Sequence, residues 1–210
     1  MNKSIFLFIG PQGCGKGTQG KKLAQLRNIP HREMSALLAE SDTYDPENKM
    51  SVSKVMTLGG LVADAVVVRV FMDALKKNNW SEVVVDGFPR KVGQARAATD
   101  LISQGYDVQV VVFELDDEEC LRRIKGRIEE FEKEQERRVQ QGLPPLKARG
   151  DEDIATQLRR LKFYRENQPA IMEHLNSVAK SRVHQIDARA GIEEVFRDIL
   201  SALPLLTFNG

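Results

Sequence analysis

The chain has 210 residues, 41% of them apolar and 29% charged, with a net charge of +1. That length allows one domain with a sizeable core, and the balanced charge argues against a general binder of nucleic acid or membrane surfaces, which carries a basic excess. No apolar run approaches the ~20 residues that span a bilayer, and the two cysteines, Cys14 and Cys120, make neither a disulfide framework nor a zinc site. An apolar run begins almost at Met1 with no leader pattern ahead of it, so a cytoplasmic protein is expected.

The first element is the most informative. Ile5 to Ile9 reads as a buried strand that stops at Gly10, and Gly13, Gly15 and Gly17 then surround Lys16 before a stretch that can be helical. Strand, tight loop and helix are the context in which a Gly-x-x-x-x-Gly-Lys motif binds phosphate. Glycines admit positive φ and let backbone N–H groups approach an anion with no Cβ in the way, and the helix N-terminus adds positive potential. Lys16 adds a full charge, and Thr18 offers a hydroxyl to Mg²⁺ or to a phosphate oxygen. An ordinary turn would account for one or two glycines. It does not account for four around a lysine.

A helix is predicted from Thr18 to Arg27, with Leu23 and Leu26 facing inward. Gly20 inside it costs roughly 1 kcal/mol against alanine, which marks close packing or a tolerated flaw. Asn28 to His31 reads as a turn with a very short strand, 35–41 as a helix, Asp42 to Lys49 as a loop, and Ser51 to Leu58 as a helix ending at Gly59-Gly60. From Asp64 to about Lys77, the valines favour a strand, but the length and the Ala-Leu-Lys-Lys ending favour a helix, which is the reading adopted.

Val83 to Asp86 is predicted as a buried strand, Gln94 to Ser103 as a helix, and Val108 to Leu115 as a central strand. Asp116 and Asp117 cap a further helix. Ile128 to Gln141 is densely charged, and Gly142 to Gly150 holds two prolines; together they read as a solvated, mobile insert or, more plainly, a solvated helix. A long helix from Asp151 to about Asn176, a strand from Val183 to Ile186 and a last helix from Ile192 to Leu203 complete the chain. Strands alternating with helices imply an α/β fold with a parallel sheet covered on both faces.

Two further groups of residues carry chemistry. Asp86-Gly87-Phe88-Pro89-Arg90 follows a buried strand, and in open α/β sheets ligands bind beyond the carboxyl ends of the strands. Asp86 there suits Mg²⁺ held through water, and Arg90 suits a phosphate. Arg122, Arg123 and Arg127 precede the charged insert, Arg149 lies at its end, and Arg159 and Arg160 follow. Any one of them reads as a solvated basic face. Their bracketing of an insert suits a flap that closes on a moving phosphoryl group and excludes water.

The chain resembles the adenylate kinase family of nucleoside monophosphate kinases over nearly its whole length. The resemblance rests on Gly10-Pro-Gln-Gly-Cys-Gly-Lys-Gly-Thr-Gln19, Gly59-Gly-Leu-Val62, Asp86-Gly-Phe-Pro-Arg90 with Gln94, Arg123-Ile-Lys-Gly-Arg127, Arg149-Gly-Asp151, and Arg160-Leu161 with Tyr164. It implies a P-loop three-layer sandwich around a five-stranded parallel sheet: a core of 1–32, 63–125 and 153–210, a monophosphate-binding insert of about 33–62, and a lid of about 126–152. It also implies a monomer that works on ATP and AMP or ADP with Mg²⁺. By residue it implies that Gly13, Cys14, Gly15, Lys16, Gly17 and Thr18 cradle ATP phosphates, that Thr18 and Asp86 hold Mg²⁺ largely through water, and that Arg123 stacks on the ATP base with Arg127 at its phosphates. Met34, Gly60, Leu61, Val62, Gly87, Phe88, Pro89, Arg90, Gln94, Arg149 and Arg160 would meet AMP. Lys16, Arg90, Arg127, Arg149 and Arg160 would be catalytic. No cysteine lies between 121 and 210, so the structural zinc of some members is not expected.

One segment departs from the family. Where the pattern is roughly Ser-Thr-Gly-Asp-Leu-Leu-Arg, this chain has Glu33-Met34-Ser35-Ala36-Leu37-Leu38-Ala39. A phosphate-binding arginine is thereby replaced by Ala39, a loss worth about ten- to a hundredfold in acceptor affinity. Arg32 could compensate only by a different local path, since seven residues span ~10 Å along a helix. Three activities remain open: transfer to AMP, transfer to UMP or CMP, and ATP binding with impaired transfer.

Overall fold

A computed structural model describes residues 3–41, 43–58, 60–146 and 153–204. Its centre is β1 (Ser4–Ile9), buried along its whole length. The strand alternates as a period of two requires: Ile5, Leu7 and Ile9 enter one core, and Phe6 and Phe8 enter another on the opposite face. An apolar run with no polar face is what a strand covered on both sides needs.

Four more strands join it in parallel: β2 (His31–Glu33), β5 (Glu82–Asp86), β6 (Asp107–Glu114) and β7 (Val183–Asp187), in the order β2-β5-β1-β6-β7. On one face, α4 (Asp64–Asn78), α5 (Val92–Ser103) and α7 (Ile154–Ala179) supply Val66, Val70, Phe71, Ala95, Leu101, Ile171 and Leu175. On the other, α1 (Lys16–Arg27) and α8 (Ile192–Ala202) supply Leu23, Ala24, Val195 and Ile199. This is the expected three-layer α/β sandwich. Leu26, expected inward, is 49% exposed, because α1 buries only one narrow stripe. The valine-rich stretch is helical as α4.

After β1 the chain passes through α1 to β2 on one side, and after β5 it crosses through α5 to β6 on the other. The strand order therefore reverses at β1, which makes the loop after Ile9 the switch point where α/β sheets bind ligands.

The segment between β2 and α4 is more structured than the sequence suggests. Short helices α2 (Met34–Ala39) and α3 (Val52–Thr57) flank an antiparallel pair, β3 (Tyr44–Asp45) and β4 (Met50–Ser51), where a loop is expected. Asp45, fully buried, organises it: its carboxylate accepts from the Glu47 and Asn48 N–H groups, from Asn48 Nδ2 and from Ala63 N–H at the start of α4. Burial would raise its pKa, but the hydrogen bonds from Ala63 and Asn48 hold it below the usual carboxylate value.

The charged stretch is a helix. Asp116 accepts from Glu119 N–H as the cap, and α6 (Asp117–Gln140) runs unbroken for 24 residues through the boundary at 126 expected for the lid. Residues beyond it double back along it: Gln135 exchanges two hydrogen bonds with the Leu146 backbone, and Arg138 donates to Pro144 O. α7 continues through Pro169 and is capped by Asp153 rather than starting at Asp151, which lies outside the described residues. Among the described residues no helix is long and apolar enough to cross a membrane.

Candidate active site

At the carboxyl end of β1 the loop turns through Gly13 (φ +83°) and Gly15 (φ +86°), and α1 begins at Lys16 with Gly15 as its N-cap. Gly15 supplies no side-chain cap, and the leading N–H groups of a helix have no intrahelical acceptor. A Cβ on Gly13 would stand 2.8 Å from Cys120 O, so both the conformation and the space exclude a side chain. Cys14 is buried behind the loop, where burial raises its thiol pKa against the pull of Lys16. Lys16 Nζ donates to Pro11 O at 3.1 Å, folding the lysine over its own loop. Thr18 is exposed.

β5 ends beside this loop. The register pairs Phe8 with Asp86 and Asp86 with Glu33, so two carboxylates stand on neighbouring strand ends. Asp86 Oδ2 lies 3.1 Å from where a Cβ on Gly17 would stand. Its Oδ1 is buried and has no hydrogen-bond partner among the described residues. Burial raises the Asp86 pKa, while the positive charges of Lys16 and Arg90 pull it down. The buried, unpartnered carboxylate oxygen of Asp86 is a hard-oxygen donor of the kind that fits Mg²⁺, and Thr18, exposed in the first turn of α1, offers a hydroxyl of the same kind. No group of three or more metal-ligating side chains occurs among the described residues.

The turn after β5 places the next residues. Gly87 (φ +80°) donates its N–H to Phe8 O, and Arg90 Nε donates back to Gly87 O at 2.7 Å. A Cβ on Gly87 would stand 2.6 Å from Arg90 Nη2, so glycine is required for this tuck. Phe88 is fully buried, 4.4 Å between ring centroids from Phe71, Pro89 is buried, and their peptide bond is cis. Arg90 is exposed to solvent overall, but the crowding of protein around its guanidinium lowers its pKa, Asp86 opposes this, and the charge of Arg160 on α7 reinforces it. Arg90, Asp86 and Arg160 are thus brought within electrostatic reach of one another.

Gln94, in the first turn of α5, is 4% exposed; its Oε1 accepts from Arg90 N–H at 2.8 Å and its Nε2 donates to Asp64 Oδ1 at 2.9 Å. Gly60 closes α3 by donating to Val55 O, Leu61 is 60% exposed, and Val62 packs on the main core. Met34 is also in that core, 2% exposed. Ala36 and Ala39 lie exposed on α2, three residues apart, where the resemblance has charged side chains. The Arg32 guanidinium lies over the Trp80 ring, 5.7 Å from its centroid. A β-strand alternates its side chains, and Arg32 lies between His31 and Glu33. On α6, Arg123 donates to Glu119 at 2.6 Å and to Arg189 O at 3.1 Å, with Arg127 one turn further along. Arg149 and Gly59 lie outside the described residues.

Asp45 and Asp64 escaped the sequence reading. The run Asp45-Pro46-Glu47-Asn48 carries a turn signal that marks Asp45. Nothing local marks Asp64, which meets its partner 30 residues away.

These features match known proteins. A family model described as adenylate kinase matches residues 8–180. An adenylate kinase of Rhizobium etli is 28% identical over 216 residues, covering 95% of this chain and 99% of its own length. A UMP-CMP kinase 3 of Oryza sativa subsp. japonica is 31% identical over 195 residues, covering 93% and 82%. An adenylate kinase of Thermosipho africanus is 36% identical over 124 residues, 58% of each chain.

Proposed function

The chain belongs to the adenylate kinase family, and from that premise we propose that it moves the terminal phosphoryl group of ATP to AMP, reversibly, giving two ADP. The observation that carries this reading is the convergence of Lys16, Asp86 and Arg90 where the strand order reverses, next to a buried glutamine amide.

In this reading an oxygen of the AMP phosphate attacks the terminal phosphorus of ATP, and the bond to the bridging oxygen breaks to release ADP. No protein nucleophile is needed; positioning and neutralisation of charge do the work. The backbone N–H groups of Gly13 to Thr18 hold the donor phosphates, and Lys16 follows the transferred group. Asp86 and Thr18 hold Mg²⁺ largely through water; when bound, the ion supplies charge neutralisation on the ATP phosphates. Arg90, Arg149 and Arg160 clamp the acceptor and the moving group. Arg127 reaches the donor phosphates, and Arg123 covers the ATP base once it leaves Glu119. Gln94, with Gly60 to Val62 and Gly87 to Pro89, receives the acceptor nucleoside. Residues 33–62 and 126–152 act as closing segments over acceptor and donor.

A second reading keeps the chemistry and changes the acceptor to UMP or CMP. It is supported by the exposed Ala36 and Ala39 in place of charged residues, by Glu33 beside Asp86, and by the likeness to a UMP-CMP kinase. A coupled assay with a panel of monophosphates at fixed Mg·ATP separates the two. AMP is expected to give the highest kcat/KM; equal or faster turnover of a pyrimidine acceptor favours the second reading, and no turnover with any acceptor rejects both.

A further inference from the structure

We propose that Asp64 is a positioning residue for nucleobase selection, acting by holding the carboxamide of Gln94 in one orientation. The inference rests on the reading above that Gln94 meets the acceptor base, and it concerns which edge of a base that amide accepts.

A carboxamide presents a carbonyl acceptor and an N–H donor side by side. Adenine and cytosine present a ring-nitrogen acceptor beside an amino donor; hypoxanthine and uracil present the reverse, a ring N–H beside a carbonyl. An unconstrained glutamine serves either class by turning half a revolution about its last side-chain bond. Gln94 is constrained at both ends. The Arg90 backbone N–H can only donate, so it takes the carbonyl oxygen at 2.8 Å. Asp64 Oδ1 accepts from Nε2 at 2.9 Å, and Lys91 Nζ stands 3.4 Å from the same oxygen as the partner of the carboxylate. A carboxylate has no proton to give.

Turning the amide would therefore set NH₂ against N–H and carbonyl against carboxylate. Gln94 is 4% exposed, so water does not relieve those contacts. Both ends of the amide keep capacity for a ligand: the carbonyl has a second lone pair and the NH₂ a second proton. The base thus meets one donor and one acceptor in one fixed order. With its phosphate held at Arg90, one class of base fits that order and the other meets like against like; on the reading that AMP is the acceptor, the amino class is the one that fits. The same argument holds whether the acceptor is a purine or a pyrimidine.

The test is Asp64→Asn in the full chain. Asparagine can donate or accept, so both amide orientations become available. The ratio of kcat/KM for AMP over IMP, and for CMP over UMP, is expected to fall by about tenfold or more. Asp64 also lies in the first turn of α4, where its charge favours the helix dipole. Loss of that role lowers the melting temperature and scales every acceptor alike, leaving the ratios in place; unchanged ratios overturn the proposal. Gln94→Ala separates the two levels. If it raises KM for the favoured acceptor while Asp64→Asn leaves the ratios unchanged, only the positioning role is wrong. If it changes no acceptor's KM, Gln94 does not meet the base and both readings fall. Should Asp64→Asn not fold, ¹⁵N spectra of the wild-type protein decide: the Gln94 side-chain protons are expected to exchange slowly with solvent, and exchange as fast as that of free glutamine overturns the proposal.

Discussion

Gly17 and Asp86 approach so closely that a Cβ on Gly17 would stand 3.1 Å from Asp86 Oδ2. The glycine after the loop lysine is thereby tied to the acid at the end of a strand almost 70 residues away. Gly17→Ala gains helix propensity, about 1 kcal/mol, but must push the carboxylate. The expected result is a melting temperature at or above that of the wild type, with kcat/KM for Mg·ATP lowered about tenfold. An unchanged kcat/KM would show that the position of Asp86 is not critical.

Asp86 carries the pH prediction. Burial lifts its pKa above the ordinary 3.8 despite Lys16 and Arg90. A raised acid pKa means the folded chain holds the proton more tightly than the unfolded chain. Its contribution to stability is therefore fully present below pH 3.8 and lost as pH rises through the folded value. Asp86→Asn removes that loss. The variant is expected to melt higher than the wild type at neutral pH, with the gap closing in acid, while kcat falls roughly a hundred- to a thousandfold. Melting curves across pH, paired with turnover, check both; a variant that melts lower at neutral pH contradicts the sign.

Gly20 is explained by close packing. A Cβ there would stand 2.9 Å from Cδ2 and Nε2 of His31, whose ring nitrogen is buried. Gly20→Ala is expected to destabilise by about 1–3 kcal/mol through overpacking, exceeding its propensity gain. Combining it with His31→Ala should recover part of that loss, and additive effects in urea melts would count against the contact.

Ala39 is exposed at the end of α2, on the segment that departs from the family pattern. Ala39→Arg is expected to lower the KM for AMP by about tenfold with little change in stability, since one charged hydrogen bond is worth about 1.5–3 kcal/mol. A KM that rises or stays level means that residues 33–39 do not face the acceptor phosphate.

The loop from Gly10 to Thr18 and most helices and strands could be read from the chain because each depends on neighbours a few residues away. Glycines set φ locally, Asp116 accepts from an amide three residues on, and a strand buried on both faces must be apolar throughout. The same locality hid other features. The β3–β4 pair is held by a buried aspartate reaching 18 residues to Ala63, and the Arg32 guanidinium lies over the ring of Trp80, 48 residues on. The orientation of Gln94 depends on Asp64, 30 residues back. Polar side chains carry no mark of the distant group that will satisfy them. Burial then makes each such pairing specific, because an unmet hydrogen bond in the interior is costly. Residue types thus pointed to a phosphate-binding α/β fold, the motifs to its family, and the packing of α4 against α5 decided how its glutamine amide is presented.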